Sequence, residues 1–292
     1  MNISQKIVDC RTLLLLFAIV PAACSDSAQK GDAGGDAGNV PGTGGTAGPG
    51  AGTGGGAGPG AGTGGSTGTA GVTGTNPGTG GTTNPACASP AVALGAAANF
   101  VVLAGSTVTN TGLTTATGDL GVSPGSAVAG FGPGVLVGAQ HAGDPTSAQG
   151  EAALTTAYND AAGRTLCPVS VAGNLGGQTL VAGLYKSTST LAISSGDLTL
   201  DGRGDAGAVF IFQMASTLTV SSARKVLLIG SASAANVFWQ VGSSASLGTT
   251  SAFQGTIMAN QSVALATGAT LTGRALARIG AVTLDTNTMV RP

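Results

Sequence analysis

Between Leu94 and Val290 the chain is written in short apolar runs cut by small polar residues. "FVVLA" (100–104), "AVFIF" (208–212), "TLTV" (217–220), "KVLLI" (225–229), "NVFWQV" (236–241), "VALA" (263–266) and "AVTLD" (281–285) are each bounded by Gly, Ser, Asn or Asp. Such runs between turn formers predict many short strands. One stretch has a different period. "DPTSAQGEAALTTAYNDAAGRT" (144–165) opens with Asp144 before Pro145 and reaches Gly163 near its end, the start and stop signals of a helix. Ala148, Ala152, Tyr158 and Ala161, with Leu154 or Thr155 between them, are expected to form its small-residue packing face. In "NVFWQV", Phe238 and Trp239 are adjacent, so one should enter the core and the other meet a neighbouring element.

The strand signals recur. Leu198-Thr199-Leu200 and Leu218-Thr219-Val220 lie roughly twenty residues apart, as do Val263-Ala264-Leu265 and Val282-Thr283-Leu284, a spacing that suits the coil of a β-solenoid. A β-sandwich also has strands at short intervals and stands beside the solenoid on periodicity alone. In a solenoid the inward positions form ladders of Leu, Val, Ile and Phe, and the outward ones flat ladders of Thr, Ser and Ala.

Before residue 87 the pattern changes. "MNISQKIVDCRTLLLLFAIVPAACSDS" sets Lys6 and Arg11 before a short apolar run ending near Cys24. Residues 1–23 read as a secretory signal, too short for a stable membrane anchor. "VPAAC" resembles a bacterial lipobox, which makes Cys24 the expected lipidation site and the only membrane contact. Residues 24–86, Gly-rich from Gly31 to Ala86, carry almost no large apolar side chain and read as a disordered tether, with a reach of roughly 40 Å. Residues 87–292 then form one domain. The expected address is the outer membrane or cell surface, otherwise secretion.

Composition narrows the chemistry. Charged residues make up 8% of the 292-residue chain, aromatics 3%, and the net charge is −1. Soluble domains carry about 25% charged residues, so Thr, Ser, Asn and Gly must supply this surface's polarity, and no basic footprint for nucleic acid exists. His141 is the only His and Glu151 the only Glu. No nucleophile, base and orienting acid can be assembled around them, and no enzyme, cofactor or metal is expected. Asp197, Asp201 and Asp205 lack the spacing of a calcium loop.

Six blocks, "LGAAANFVVLAGSTVTNTG", "TGDLGVSPG", "LTTAYNDAAGR", "LTLDGRGDAGAVFIFQ", "NVFWQVGSSASLG" and "GRALARIGAVTLDTN", resemble the microbial ice-binding-protein-like family from Leu94 to Pro292. The resemblance implies a mostly β fold: a right-handed β-solenoid (β-helix) of triangular cross-section with one α-helix packed alongside. It also implies discontinuous coil order, the C-terminal segment returning beside the N-terminal coil. The partner it implies is the water lattice of ice, met through a flat Thr/Ser/Ala-rich face. Ice-active relatives carry Thr-(Ala/Gly)-x-(Thr/Asn), matched by Thr111-Gly112-Leu113-Thr114 and Thr267-Gly268-Ala269-Thr270. Thr217, Thr219, Thr249 and Thr250 are further candidates. Arg203-Gly204-Asp205, in the family's "DGxGD", is expected to be a turn rather than an adhesion signal.

Cys87 and Cys167 form an even pair in an oxidising compartment and are candidates for a disulfide. The remaining function class is a cell-surface adhesin or structural module on the same fold without ice activity. A monomer is favoured.

Overall fold

The structure, a computed structural model, describes residues 87–292; the expected signal segment, Cys24 and the tether lie outside the described residues. The chain winds in coils, and each short strand pairs in parallel with its equivalents in the coils above and below. The parallel pairing displaces the sandwich reading, whose sheets would be antiparallel.

Three ladders result. Face I runs through Gln140–Ala142, Asp119–Val122, Phe100–Ala104, the second halves of Thr270–Ala277 and Ala252–Ala259, then Val237–Val241, Phe210–Met214, Gly183–Ser187 and Val169–Ser170. Face II runs through Ala127–Ala129, Thr107–Thr111, Val282–Asp285, Val263–Leu265, Ala245–Leu247, Leu218–Val220, Leu191–Ile193 and Gly173–Asn174. Face III joins Val135–Val137, Thr115–Thr117, Thr288–Val290 and the first halves of the two long strands; a single bridge, Lys225 to Ala252, links it to Val226–Ile229, Leu198–Asp201 and Thr179–Val181.

Coil order departs from chain order. Val102 pairs with Ala275, Val108 with Val282 and Thr115 with Thr288, so the N-terminal coil stacks on the C-terminal one. Helix α1 (Pro145–Gly163), the one α-helix among the described residues, makes this possible. It leaves the stack after Gln140–Ala142 and lies along face I. Its 19 residues span about 28 Å at 1.5 Å each. Near its end, Gln213 Nε2 donates to Ala161 O at 2.6 Å and Arg164 O at 2.8 Å, six rungs away. Six strand spacings come to about 29 Å, so the helix matches the part of the stack between Gln140–Ala142 and Phe210–Met214.

Asp144 caps α1, accepting from Ser147 N at 2.8 Å while its own N–H donates to Ser147 Oγ at 3.2 Å. The buried helix residues are Ser147, Gly150, Leu154, Ala157, Tyr158 and Ala161. Ala148 and Ala152, expected on the packing face, are exposed. The buried stripe starts at Ser147 and recurs every three or four residues, one position out of phase with those alanines. Gly150 sits where a Cβ would come within 2.6 Å of the Phe100 ring, so only glycine lets the helix approach face I there.

The described residues form two apolar cores. Inside the coils, the Tyr185, Phe212 and Trp239 rings stack with centroids 5.1 and 4.0 Å apart, and Phe253 tilts onto Trp239 at 4.9 Å. Between α1 and face I, Phe238 packs with Leu103, Leu154, Ile211 and Leu276. Trp239 thus enters the coil and Phe238 the helix interface.

The repeat reading needs a correction. Val263 and Val282 are register partners on face II. Leu198 lies on face III and pairs with Val226, whereas Leu218 lies on face II between Leu191 and Ala245. An apolar-polar-apolar triplet serves both faces, and coil length varies: the coil from Leu191 to Leu218 is half as long again as that from Ala245 to Val263.

Candidate functional site

Face II is the one whose outward positions carry short side chains throughout. Its strands repeat buried-exposed-buried, as in Leu218-Thr219-Val220, Ala245-Ser246-Leu247 and Val263-Ala264-Leu265. The outer apolar residues enter the core, and the middle one points out. Register stacks Ala192, Thr219, Ser246, Ala264, Thr283, Thr109 and Ala129 in one unbroken column. Neighbouring rungs lie about 4.8 Å apart. Thr109 Oγ1 donates to Thr283 Oγ1 at 3.4 Å across the seam between N- and C-terminal coils. None of the outward positions on this face's strands carries Lys or Arg.

A shallow trough runs beside the column. Thr219, Ser246, Ala264 and Thr283 form one bank, and Ser222, Gly248, Ala266 and Asp285 line the rest. On the other side, towards face I, Ser244 Oγ accepts from Ser262 N at 3.3 Å and Ser262 Oγ from Ala281 N at 3.2 Å, which ties that border to the backbone.

The two Thr-Gly-x-Thr stretches are turns at the corner between faces II and III. Backbone bonds stack this corner: Ala223 N to Thr249 O, Thr250 N to Thr267 O, Gly268 N to Asp285 O and Thr286 N to Thr111 O. The second residue of each turn has positive φ, at 59° for Ala223, 55° for Thr250, 71° for Gly268, 51° for Thr286 and 72° for Gly112. Glycine in the motif's second place answers that backbone demand. Thr111, Thr249 and Thr267 are exposed in one file along the edge of face II, with Asp285 between Thr267 and Thr111. Thr267 Oγ1 donates to Asp285 Oδ2.

The last residues of the motifs fall elsewhere. Thr114 is 0% exposed, so it cannot touch ice as expected; its hydroxyl accepts Asn287 N–H at 3.0 Å inside the corner. The turn after Thr111 is one residue longer than that after Thr267, which moves Thr115, not Thr114, into register with Thr288 and Thr270. Thr270 is exposed on face III, in the column Ala252, Thr270, Thr288, Thr115 and Val135. That face also exposes Leu227, Ile229, Val290, Val135 and Val137. Thr217 is half-buried beside the face I border, whereas Thr219 stands in the central column. Thr109, Ser246, Ala264 and Thr283 were not singled out from the sequence. For Ser246, Ala264 and Thr283 the signal is the middle place of an apolar-x-apolar triplet, which becomes visible only once the triplets are sorted by face; Thr109 lies between Val108 and Asn110 and carries no such signal.

Apart from Asp285 at the edge of face II, the charged groups described below sit away from that face. Arg278 stacks its guanidinium 4.6 Å above the Tyr158 ring and donates to Asn260 Oδ1 at 2.9 Å. Arg274 Nε donates to Ala98 O at 3.1 Å, and burial, with Arg291 nearby, lowers its pKa to about 10. Arg224 faces Asp197 at 3.7 Å. Asp201 accepts from Arg203 N at 2.8 Å and Asp205 from Gly207 N at 2.7 Å, so the Arg203-Gly204-Asp205 stretch is a self-bonded turn. His141 Nδ1 lies 2.7 Å from Asp144 Oδ2. The Ser147 backbone N–H, followed by His141, holds the Asp144 carboxyl below the usual range. This His-Asp pair serves the helix cap. Cys87 and Cys167 are bonded, with Cα atoms 5.5 Å apart.

A parallel solenoid with a periodic face of Thr, Ser and Ala, whose central column is uncharged, is built to meet an extended surface rather than a molecule in a cleft. Residues 102–290 match the family model described as ice-binding-like, and the chain belongs to that family. It is 46% identical over 195 residues to an ice-binding protein of Nostoc sp. (strain HG1), covering 66% of this chain and 72% of that one. An ice-binding protein of Flavobacterium frigoris (strain PS1) is 39% identical over 216 residues, covering 69% and 76%. The crystal structure of an ice-binding protein from an Antarctic biological consortium superposes with a TM-score of 0.69 at 56% identity, over 70% of this chain and 92% of that one.

Proposed function

We propose that this domain adsorbs to ice through face II, and that the column Thr219, Ser246, Ala264, Thr283 and Thr109 is the centre of the contact. Ice offers a repeating, uncharged lattice of water. A receptor for it has to be flat, rigid and periodic, and stacked strands repeat at a spacing close to one in ice. The Thr methyl excludes random water while the hydroxyl holds one water in place, and the trough beside the column can seat a file of them. Thr111, Thr249 and Thr267 extend the contact to the edge.

The finer features belong to the same reading. The solenoid is right-handed and triangular, acts as a monomer without catalysis, and is exported, attached to a membrane through lipid on Cys24. None of the helices among the described residues is long and apolar enough to cross a membrane. The unbroken uncharged column favours ice over an adhesin's partner, which would be gripped by charged or shaped groups.

The test is crystal shaping and inhibition of recrystallisation by the purified protein. Thr219→Tyr with Thr283→Tyr should abolish both while the fold persists, because two phenol rings lift the face off the lattice. Thr115→Tyr with Thr288→Tyr, on face III, should leave both intact. The reverse pattern would move the contact to face III. An inactive wild type would remove the ice reading.

A further inference from the structure

Each coil runs from face I to II to III and back to I. The III-to-I turn is therefore the one corner that does not border face II. The Cys87–Cys167 disulfide lies there: a pocket around the two sulfurs is lined by Ala182 and Gly183, which join Thr179–Val181 to Gly183–Ser187, and by Asp205 and Val209 in the next turn of the same corner. Everything N-terminal to the domain enters at Cys87. The other end of the chain leaves by the same corner, since Arg291 Nη1 donates to Ala98 O and Asn99 O, just before Phe100.

From Cys87 the chain runs back along α1 as a strap. Arg164 donates to Pro90 O and Ala91 O, while Val92, Leu94 and Ala97 are buried with α1. The strap ends in Phe100–Ala104, inserted between Thr270–Ala277 and Asp119–Val122 at the coil seam. A pull on residues 1–86, without a cross-link, would peel the strap from α1 one contact at a time and then unzip Phe100–Ala104. The 80-residue separation closed by the disulfide cannot lengthen. Load is then divided between the strap and the coil that begins at Val169.

We infer that the Cys87–Cys167 corner is the mechanical mount of the domain: it holds the solenoid by the corner away from face II and keeps the strap from peeling while that face is attached to ice. This use of the mount rests on the ice reading; the mechanical claim does not.

Single-molecule pulling of the full chain between its N-terminus and an azide-bearing side chain placed at Ala264 tests the mechanics without ice. The oxidised protein should rupture at a force severalfold higher than the reduced one. The reduced protein should show an early, low-force lengthening as the strap and residues up to 166 pay out. Equal rupture forces and equal lengthening in the two states would overturn the mount. Beads carrying the full chain by its N-terminus, held on ice under flow, test its use. Cys87→Ser with Cys167→Ser should release at severalfold lower shear than wild type, while the same variant free in solution shapes crystals at the wild-type concentration. Equal release shear would refute the adhesive role. A wild type that neither shapes crystals nor holds beads would refute the ice reading and leave the pulling result standing.

Discussion

Thr114 and Thr219 have the same side chain and opposite roles. Thr219 is exposed between two buried neighbours, so its hydroxyl is free for water; Thr114 is buried and its hydroxyl accepts the Asn287 amide. Replacing Thr114 with Val leaves that buried N–H without a partner, at a cost of about 1–3 kcal/mol. Denaturant melts should show the loss, with crystal shaping unchanged once the protein is folded. Glu151 is the other residue whose surroundings decide its behaviour. Burial raises its pKa to about 8, against the pull of Arg278, and its Oε1 has no partner. The folded form therefore keeps a proton that the unfolded chain releases near 4.5. The stabilisation from that proton is complete below 4.5 and is lost as pH rises towards 8. Glu151→Gln should flatten the decline in stability across this window, and melts at the two ends of it check the sign. Neither Thr114 nor Glu151 betrays its burial in sequence, because both depend on which way a turn or a helix is phased.

At the scale of elements, the helix was legible at its ends and not on its sides. Asp144-Pro145 announced the cap, and the cap is there with Ser147 as its reciprocal partner. Removing it in Asp144→Ala should cost about 1 kcal/mol and lower the melting temperature. His141 would lose its partner in the same variant. The packing face of the helix differs from the expected one because small residues are so frequent in α1 that hydrophobic periodicity is weak. The strands show the same limit. Their number and boundaries could be read from the Gly, Ser and Asn that punctuate them. Which face each belongs to could not, since Leu198-Thr199-Leu200 and Leu218-Thr219-Val220 look alike and occupy different sheets. The Thr-Gly-x-Thr motifs place Thr111 and Thr267 at the edge of face II. They do not include the proposed column beside it, whose members are as often Ser or Ala as Thr.

For the whole molecule, the family resemblance supplied what periodicity could not: N-terminal coils stacked on C-terminal ones. Pairing between Val102 and Ala275 joins residues that lie at opposite ends of the domain in sequence, beyond the reach of any local pattern. The stack is closed at this seam, and α1 spans its rungs from Gln140–Ala142 to Phe210–Met214. One helical turn rises about 5.4 Å and one rung about 4.8 Å, so the helix spends roughly a turn on each coil it crosses. That makes α1 a ruler. A chain that duplicated the coil from Ala245 to Ser262 would add a rung to face II but leave the helix short of its landing at Gln213. Such a duplication should melt below the parent, and four residues added to the middle of α1 should restore much of the loss. On the proposed contact through face II, the length of the file offered to the crystal is thus recorded in a helix packed on another face.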